Sequence, residues 1–128
     1  MSEKSLAQKL LIKEGRSVLF VNQPEGYAAR LGELPEGVVV LSAPTAPADI
    51  IQVFVASKKE LEEQLPRLKP ALRPNGILWV TYHKGTSKIK TDINRDSIAA
   101  YAPSVGMEGV AMVSVDDDWS ALRLKVVA

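Results

Sequence analysis

Residues 48–82 read ADIIQVFVASKKELEEQLPRLKPALRPNGILWVTY, and this stretch decides the fold class. Residues 50–55 and 77–82 are short apolar runs rich in Ile and Val, a composition typical of buried strands. Between them, four leucines recur at spacings of four, three and four, which places them on one face of a helix over residues 58–73. They are Leu61, Leu65, Leu68 and Leu72. A strand, a helix and a strand in this order predict parallel strands joined by a crossover.

The same alternation extends through the rest of the chain. Residues 17–21 and 38–41 indicate two more buried strands, with a short helix over residues 27–32 between them. Residues 110–115 and 121–127 indicate two strands joined by the hairpin sequence DDDWS, so the last strand must run antiparallel. The sequence therefore predicts an α/β fold: a Rossmann-like three-layer sandwich with a mostly parallel six-stranded sheet and helices on both faces.

Turn residues predict where the helices begin and end. We expect a first helix over residues 5–14 that stops at Gly15. Pro66 and Pro70 should kink or split the long helix, because proline removes a backbone donor. Thr91 or Asp92 should cap a last helix that runs to about residue 104.

Composition limits the class of function. The chain has 128 residues, 16 basic and 15 acidic side chains and a formal net charge of +1. This balance argues against a nucleic-acid or membrane partner, which would favour a basic excess. The absence of cysteine excludes a disulfide framework, thiol catalysis and cysteine-ligated zinc. No apolar run reaches membrane-spanning length and the N-terminus has no signal-peptide core, so we expect one cytoplasmic domain over residues 1–128.

The turn after the first strand, residues 22–26, is where nucleotide-binding folds place a glycine-rich loop. Here it has one glycine; Pro24 lacks a backbone donor and Glu25 puts a negative charge where a phosphate would lie. The second strand ends without the acidic residue that holds ribose hydroxyls. The sequence therefore predicts no S-adenosylmethionine or NAD cofactor, and a turn shaped by Pro24 and Gly26.

Two segments, ADIIQVFVAS and LKPALRPNGILWVTY, resemble the second half of a class I methyltransferase domain. In such domains an Asp-led strand is followed by a helix, a Pro-Gly turn and the next apolar strand. The resemblance implies a strand order of 2-1-3-4-6-5 with the last strand inserted antiparallel. It describes a reduced domain from which the cofactor motifs are missing.

Over nearly its whole length, the chain resembles a bacterial family known as domain of unknown function 3052. The motifs that carry the resemblance are Lys9-Leu10, Ile12-Lys13-Glu14-Gly15, Pro24-Glu25-Gly26-Tyr27, Lys84, Ser87, Thr91-Asp92, Asp116, Trp119-Ser120 and Leu122-Arg123-Leu124. One position departs from the pattern, since His83 stands where such proteins tend to have proline. The resemblance implies a fold and a family and no established activity.

The basic loop KGTSKIKTD, residues 84–92, is the strongest candidate site. It follows a parallel strand, at the sheet edge where open α/β folds bind ligands. Its cations and hydroxyls predict binding of a small anion; the alternative is a solvated loop with a standard helix cap. The candidate residues are Lys84, Ser87, Lys88, Thr91 and Asp92.

The acidic hairpin, residues 116–120, should meet the basic loop at the same edge. Asp116 and its neighbours then either form weak salt bridges with the lysines or line a shallow polar pocket floored by Trp119. Trp119 as a core anchor is the alternative for that residue. His83 is the only histidine, so surface or packing is a better interpretation than catalysis, and the chain offers no metal-ligand set.

These patterns favour a non-catalytic binding or regulatory module with a protein partner or a small anionic ligand. The alternative is an enzyme or sensor that binds a small anionic or nucleotide-like ligand at the 83–92 loop, through Lys84, Ser87 and Thr91. A nucleic-acid contact through the lysine loop is a weaker third hypothesis. Homodimerisation around Trp79 or Trp119 also remains open.

Overall fold

The computed structural model describes residues 5–43, 47–84 and 92–127. Its strands are β1 (Ser17–Val21), β2 (Val39–Leu41), β3 (Ala48–Phe54), β4 (Leu72–His83), β5 (Met107–Ser114) and β6 (Trp119–Val126). Its α-helices are α1 (Leu6–Lys9), α2 (Tyr27–Leu31), α3 (Lys58–Leu68) and α4 (Arg95–Tyr101). None of the helices described is long and apolar enough to cross a membrane.

The sheet has the order β2-β1-β3-β4-β6-β5, which confirms the predicted topology. The first four of these strands pair in parallel, whereas β6 pairs antiparallel with both β4 and β5. Since β5 therefore runs in the same direction as β4, the carboxyl ends of β1, β3, β4 and β5 share one edge of the sheet. We call it the carboxyl edge.

One face of the sheet is covered by α3 and α4, and its core is almost entirely aliphatic. Leu61, Leu65 and Leu68 of α3 are buried, as the leucine spacing predicted. They belong to one cluster with strand residues such as Ile51 and Val80. We call this the aliphatic face.

The opposite face is covered by α1 and α2, and its core combines aliphatic side chains with the buried rings of Tyr27, Phe54 and Trp79. Tyr27 and Phe54 are in edge-to-face contact, with ring centroids 4.8 Å apart. The indole nitrogen of Trp79 donates a hydrogen bond of 2.9 Å to the Leu10 carbonyl, which fixes the chain after α1 to the sheet. We call this the aromatic face.

Two helix predictions were wrong, for reasons of local geometry. The first helix ends at Lys9 rather than at Gly15, and Leu11 has a left-handed backbone with φ of 64° that a continuous helix cannot contain. Pro66 lies inside α3 without splitting it. The α-helix does end before Pro70, in a 3-10 turn over Lys69–Ala71, so Leu72 begins β4 and does not extend the helix. The missing donor of Pro66 would have bonded to the Glu62 carbonyl, and the Tyr101 hydroxyl donates to that oxygen instead, at 3.5 Å.

The predicted cap of the last helix was also wrong. Asn94 caps α4, accepting a hydrogen bond from the Ser97 backbone at 2.9 Å. Asp92 serves another helix: its carboxylate accepts from the Lys58 backbone N–H at 2.8 Å, at the start of α3. Ser57 caps the same helix through the Glu60 N–H. Asp92 therefore anchors the end of the basic loop to α3.

Candidate functional site

A cleft of about 480 Å³ opens at the carboxyl edge of β1, between α2 and the outer strand β2. Its walls are largely apolar: Phe20 comes from β1, Val40 from β2 and Leu34 from the connection between α2 and β2. Val40 is 53% exposed, so the cleft leaves apolar surface open to solvent. The turn over residues 23–26 forms its rim.

The rim is a tight turn that a backbone hydrogen bond closes. Gly26 has φ of 81°, a left-handed conformation that favours glycine, and it directly precedes α2. The Tyr27 N–H donates to the Pro24 carbonyl at 3.1 Å. Within the described lining of the cleft, Glu25 is the one charged side chain. This rim suits a ligand with donors or positive charge and opposes a phosphate.

A buried chain of hydrogen bonds leads from the cleft into the sheet. The Tyr27 hydroxyl donates to Gln52 Oε1 at 2.7 Å, and Gln52 Nε2 donates to Thr81 Oγ1 at 3.0 Å. Gln52 and Thr81 are fully buried. Burial raises the pKa of the Tyr27 phenol far above its ordinary value, so this hydroxyl stays protonated and keeps donating.

Rings continue from Tyr27 along the carboxyl edge to His83. Phe54 contacts Trp119 edge to face at 5.1 Å, and the indole of Trp119 stacks on the His83 imidazole at 3.9 Å and 28°. His83 is 6% exposed, and its Nδ1 has no hydrogen-bond partner among the residues that the structure describes. His83 is therefore a packed side chain whose Nδ1 finds no partner within the described ranges.

The structure brings Lys84 and the acidic hairpin together. The Lys84 backbone N–H donates to the Asp118 carbonyl at 2.8 Å, and Lys84 Nζ donates to Ser114 Oγ at 2.7 Å. Ser87, Lys88 and Thr91 lie outside the described residues. Their role in ligand binding, like that of Lys84, stays a prediction.

Asp116 does not meet Lys84 in the way that the opposite charges suggested. Its carboxylate pairs with Arg30 of α2 and accepts from the backbone N–H groups of Asp118 and Trp119, each at 2.8 Å. It therefore shapes the hairpin and joins it to α2. Trp119 is half-buried against Phe54, which agrees with its interpretation as an anchor.

A second cavity, of about 340 Å³, lies at the same edge on the aliphatic face. Lys84, Arg95 and Asp96 supply its charged groups, and the hydroxyls of Tyr82 and Ser120 also line it. Burial raises the pKa of Tyr82, so that phenol stays neutral. In the described ranges, the acidic and histidine side chains form no group able to hold a metal ion.

Sequence reasoning found the rim of the cleft but missed its walls and the buried hydrogen bonds that lead from Tyr27 into the sheet. Gln52 carried a usable signal, because an amide inside the strand sequence IIQVFV must find buried partners. Phe20, Leu34 and Val40 carried none, since an apolar residue that lines a cleft resembles one in a core.

Comparison with solved structures finds similar folds among methyltransferases. A SAM-dependent methyltransferase from Aquifex aeolicus matches 95% of this chain and 88% of its own, with 17% identity and a TM-score of 0.63. A ribosomal protein L11 methylase from Lactobacillus delbrueckii subsp. bulgaricus matches 96% and 75%, with 10% identity and a TM-score of 0.64. Fibrillarin from Aeropyrum pernix, with natively bound S-adenosyl-L-methionine, matches 88% and 67%, with 14% identity and a TM-score of 0.58. Identities this low establish the fold alone.

These similarities correct the functional expectation. The prediction of a non-catalytic binding or regulatory module is contradicted, because a methylase and a SAM-dependent methyltransferase share the fold over almost the whole chain. The alternative, an enzyme or sensor with a nucleotide-like ligand, agrees better with them. Comparison with family models and with curated proteins finds no match, so the resemblance to family 3052 is unconfirmed.

Proposed function

We propose that this chain is an enzyme that binds S-adenosylmethionine, or a closely related nucleoside, in the cleft between α2 and β2. The observation that carries the proposal is the charge of the cleft, whose described lining offers apolar walls and the single carboxylate of Glu25. The reaction class that follows is methyl transfer, since the ligand carries its methyl group on a positively charged sulfonium.

Charge selects among the nucleotide-like ligands. A dinucleotide or a nucleoside phosphate would bring negative charge toward Glu25 and lose affinity. S-adenosylmethionine has no phosphate, and its positive sulfonium and amino groups outweigh its one carboxylate. Glu25, which argued against a phosphate loop, therefore supports this ligand.

The cleft would hold the ligand with a reduced set of contacts. Phe20, Leu34 and Val40 offer apolar surface to an adenine ring. Because β2 ends at Leu41 without an acidic residue, the ribose hydroxyls would depend on the oxygens of Gln23 and Glu25. We expect weaker binding than in a domain that has the acidic residue. We also propose that the chain is a member of family 3052 and that it is located in the cytoplasm.

Calorimetric titration with S-adenosylmethionine, S-adenosylhomocysteine, adenosine and ADP tests the ligand class. The two S-adenosyl compounds should bind and ADP should not. Glu25→Gln should weaken the binding of S-adenosylmethionine about tenfold, because one charge contact is worth about 1.4 kcal/mol. It should weaken the binding of S-adenosylhomocysteine less, because the sulfur of that compound is uncharged.

Glu63→Gln is the matched control, because Glu63 is an exposed residue of α3, on the other face of the sheet. It should leave all four titrations unchanged. The proposal fails if neither S-adenosyl compound binds at millimolar concentration. It also fails if ADP binds better than both of them, which would favour an anion site.

A further inference from the structure

The cavity of about 340 Å³ on the aliphatic face combines buried hydroxyl groups with charges of both signs. Tyr82 and Ser120 line it and are only 5% and 6% exposed. Lys84, which follows β4, and Arg95 and Asp96 of α4 supply the charges, and the last two side chains are largely exposed. The cavity therefore has neutral polar groups at its floor and charged groups nearer the solvent.

The Tyr82 hydroxyl donates to a poor acceptor. Its partner is the Sδ atom of Met112, at 3.1 Å, and a thioether sulfur accepts hydrogen bonds only weakly. Burial raises the pKa of Tyr82 and outweighs the opposing effects of Arg95 and of the hydrogen bond with Ser120, so the phenol stays a donor. Met112 is unbranched and 46% exposed, so it can move aside for a ligand oxygen that accepts better.

The charges around the cavity favour a ligand that carries both signs. Lys84 Nζ gives one of its three donors to the Ser114 hydroxyl, at 2.7 Å, and Arg95 lies 3.6 Å from Asp96. The acidic hairpin lies next to Lys84, whose backbone N–H donates to the Asp118 carbonyl. A simple anion would approach these carboxylates and a simple cation the two basic groups, whereas a zwitterion has a partner for each of its charges.

A second cavity, of about 270 Å³, continues from the first along β5. The two cavities share Met112 in their linings. Beyond it the walls are small or apolar, with Ala99 from α4, Gly109 from β5 and Leu122 from β6. This space suits an aliphatic side chain attached to the zwitterion.

We propose that the two cavities together bind a free amino acid with an aliphatic side chain. Its carboxylate accepts hydrogen bonds from the Tyr82 hydroxyl and from Lys84 Nζ, and its ammonium group pairs with Asp96. Its side chain lies over Met112 in the second cavity. This site is separate from the S-adenosylmethionine cleft, which lies on the aromatic face, and does not depend on the proposed function.

Titration of the isotope-labelled protein with four small molecules, followed by two-dimensional NMR without any nucleoside, tests the proposal. Leucine, 4-methylpentanoate and 3-methylbutylamine share one carbon skeleton but carry both charges, the negative charge alone and the positive charge alone. Glycine carries both charges without the side chain. Leucine should shift the backbone amide signals of Asn94 and Ser120 and bind at least about threefold more tightly than the other three, since exposed charge contacts are individually weak.

Two substitutions, each with a matched control, test the contacts. Tyr82→Phe removes the donor and should weaken leucine binding about tenfold, whereas Tyr101→Phe should not, because that hydroxyl lies outside the cavity lining and bonds to the Glu62 carbonyl. Asp96→Asn should weaken leucine binding about threefold without weakening that of 4-methylpentanoate. Asp117→Asn, at an exposed aspartate outside the lining, should leave both unchanged.

Thermal unfolding should show that every variant is folded; if Tyr82→Phe is not, Lys84→Met tests the same carboxylate contact and should also weaken leucine binding. Absence of any shift with leucine at millimolar concentration would overturn the proposal. Binding of 4-methylpentanoate or of 3-methylbutylamine as tight as that of leucine would also overturn it, and would assign the cavity to a simple anion or to a simple cation. Equal binding of glycine would rule out the side-chain contact in the second cavity, and unchanged binding by Tyr82→Phe would rule out the contact with the phenol.

Discussion

The two faces of the sheet are both well buried but differ in chemistry. Leucine, valine and isoleucine make up most of the core on the aliphatic face, beneath α3 and α4. On the aromatic face, beneath α1 and α2, the rings of Tyr27, Phe54 and Trp79 pack close to three buried polar side chains. These are Gln52, Thr81 and His83.

The difference separates stability from function. Aliphatic burial stabilises the fold and needs no partner, whereas a buried polar group costs free energy unless it is hydrogen-bonded. The polar groups lie on the face that carries the proposed ligand cleft, and Tyr27 belongs to both the cleft and the buried chain. We infer that the aliphatic face mainly holds the domain together and the aromatic face prepares its site.

Truncation on the aliphatic face should have the largest effect on stability. Leu65 is completely buried under α3, so Leu65→Ala should lower the free energy of unfolding by about 3 kcal/mol through lost burial and a cavity. Denaturant unfolding measures the loss, with Glu63→Ala on the exposed side of α3 as control. If Leu65→Ala lowers the free energy of unfolding by less than about 1 kcal/mol, this face is not the main source of stability.

Tyr27→Phe should have the next largest effect. It keeps the ring contacts with Phe54 but leaves Gln52 Oε1 buried without its donor, which should cost about 2 kcal/mol. In the double variant with Gln52→Leu the two losses should not add, because both substitutions remove the hydrogen bond between Tyr27 and Gln52. Additive losses would show that the chain from Tyr27 to Thr81 does not act as a unit.

High pH should lower the free energy of unfolding through Tyr27 on the aromatic face, and this effect should be smaller than that of Tyr27→Phe. Burial raises the folded-state pKa of Tyr27 above the ordinary value of 10.0. Above pH 10 the unfolded chain releases the phenol proton and the folded chain keeps it, so stability falls as pH rises, by at most about 1.4 kcal/mol per pH unit for one group.

The Tyr27→Phe variant loses this contribution to the pH dependence. Its stability difference from the wild type should therefore shrink between pH 9 and pH 11, as measured by urea unfolding at each pH. Tyr82, whose pKa burial also raises, remains in both proteins and cancels in the comparison. A constant difference would show that the Tyr27 phenol titrates alike in both states.

Sequence reasoning recovered the architecture because periodicity reports burial directly. The leucines of α3 and the apolar strands gave the layers, and the resemblance to methyltransferases gave the order in which β6 is inserted. Helix ends were harder. Leu11 leaves the helix through a backbone angle, and Pro66 is tolerated because Tyr101, distant in sequence, donates to the freed carbonyl.

The candidate site was only partly predictable, because a pattern of charges in the sequence does not show which residues form ion pairs with one another. The tripled aspartates and Lys84 do meet at the carboxyl edge, yet Asp116 pairs with Arg30, far away in the sequence. The cleft depends on which apolar side chains a helix leaves uncovered. Neither Val40 nor Phe20 differs from a core residue until the structure shows that Val40 is exposed and that Phe20 is only partly buried beside Tyr27.

His83 should give the smallest effect, and one of opposite sign. Its imidazole is buried with Nδ1 unsatisfied among the described residues, so His83→Phe should keep the stack on Trp119, remove the unpaired atom and raise the free energy of unfolding by up to about 1 kcal/mol. Denaturant unfolding of both proteins measures it. Destabilisation would mean that the imidazole has a partner in solution. A gain would show that, on this face of the sheet, a polar side chain is retained at the expense of stability.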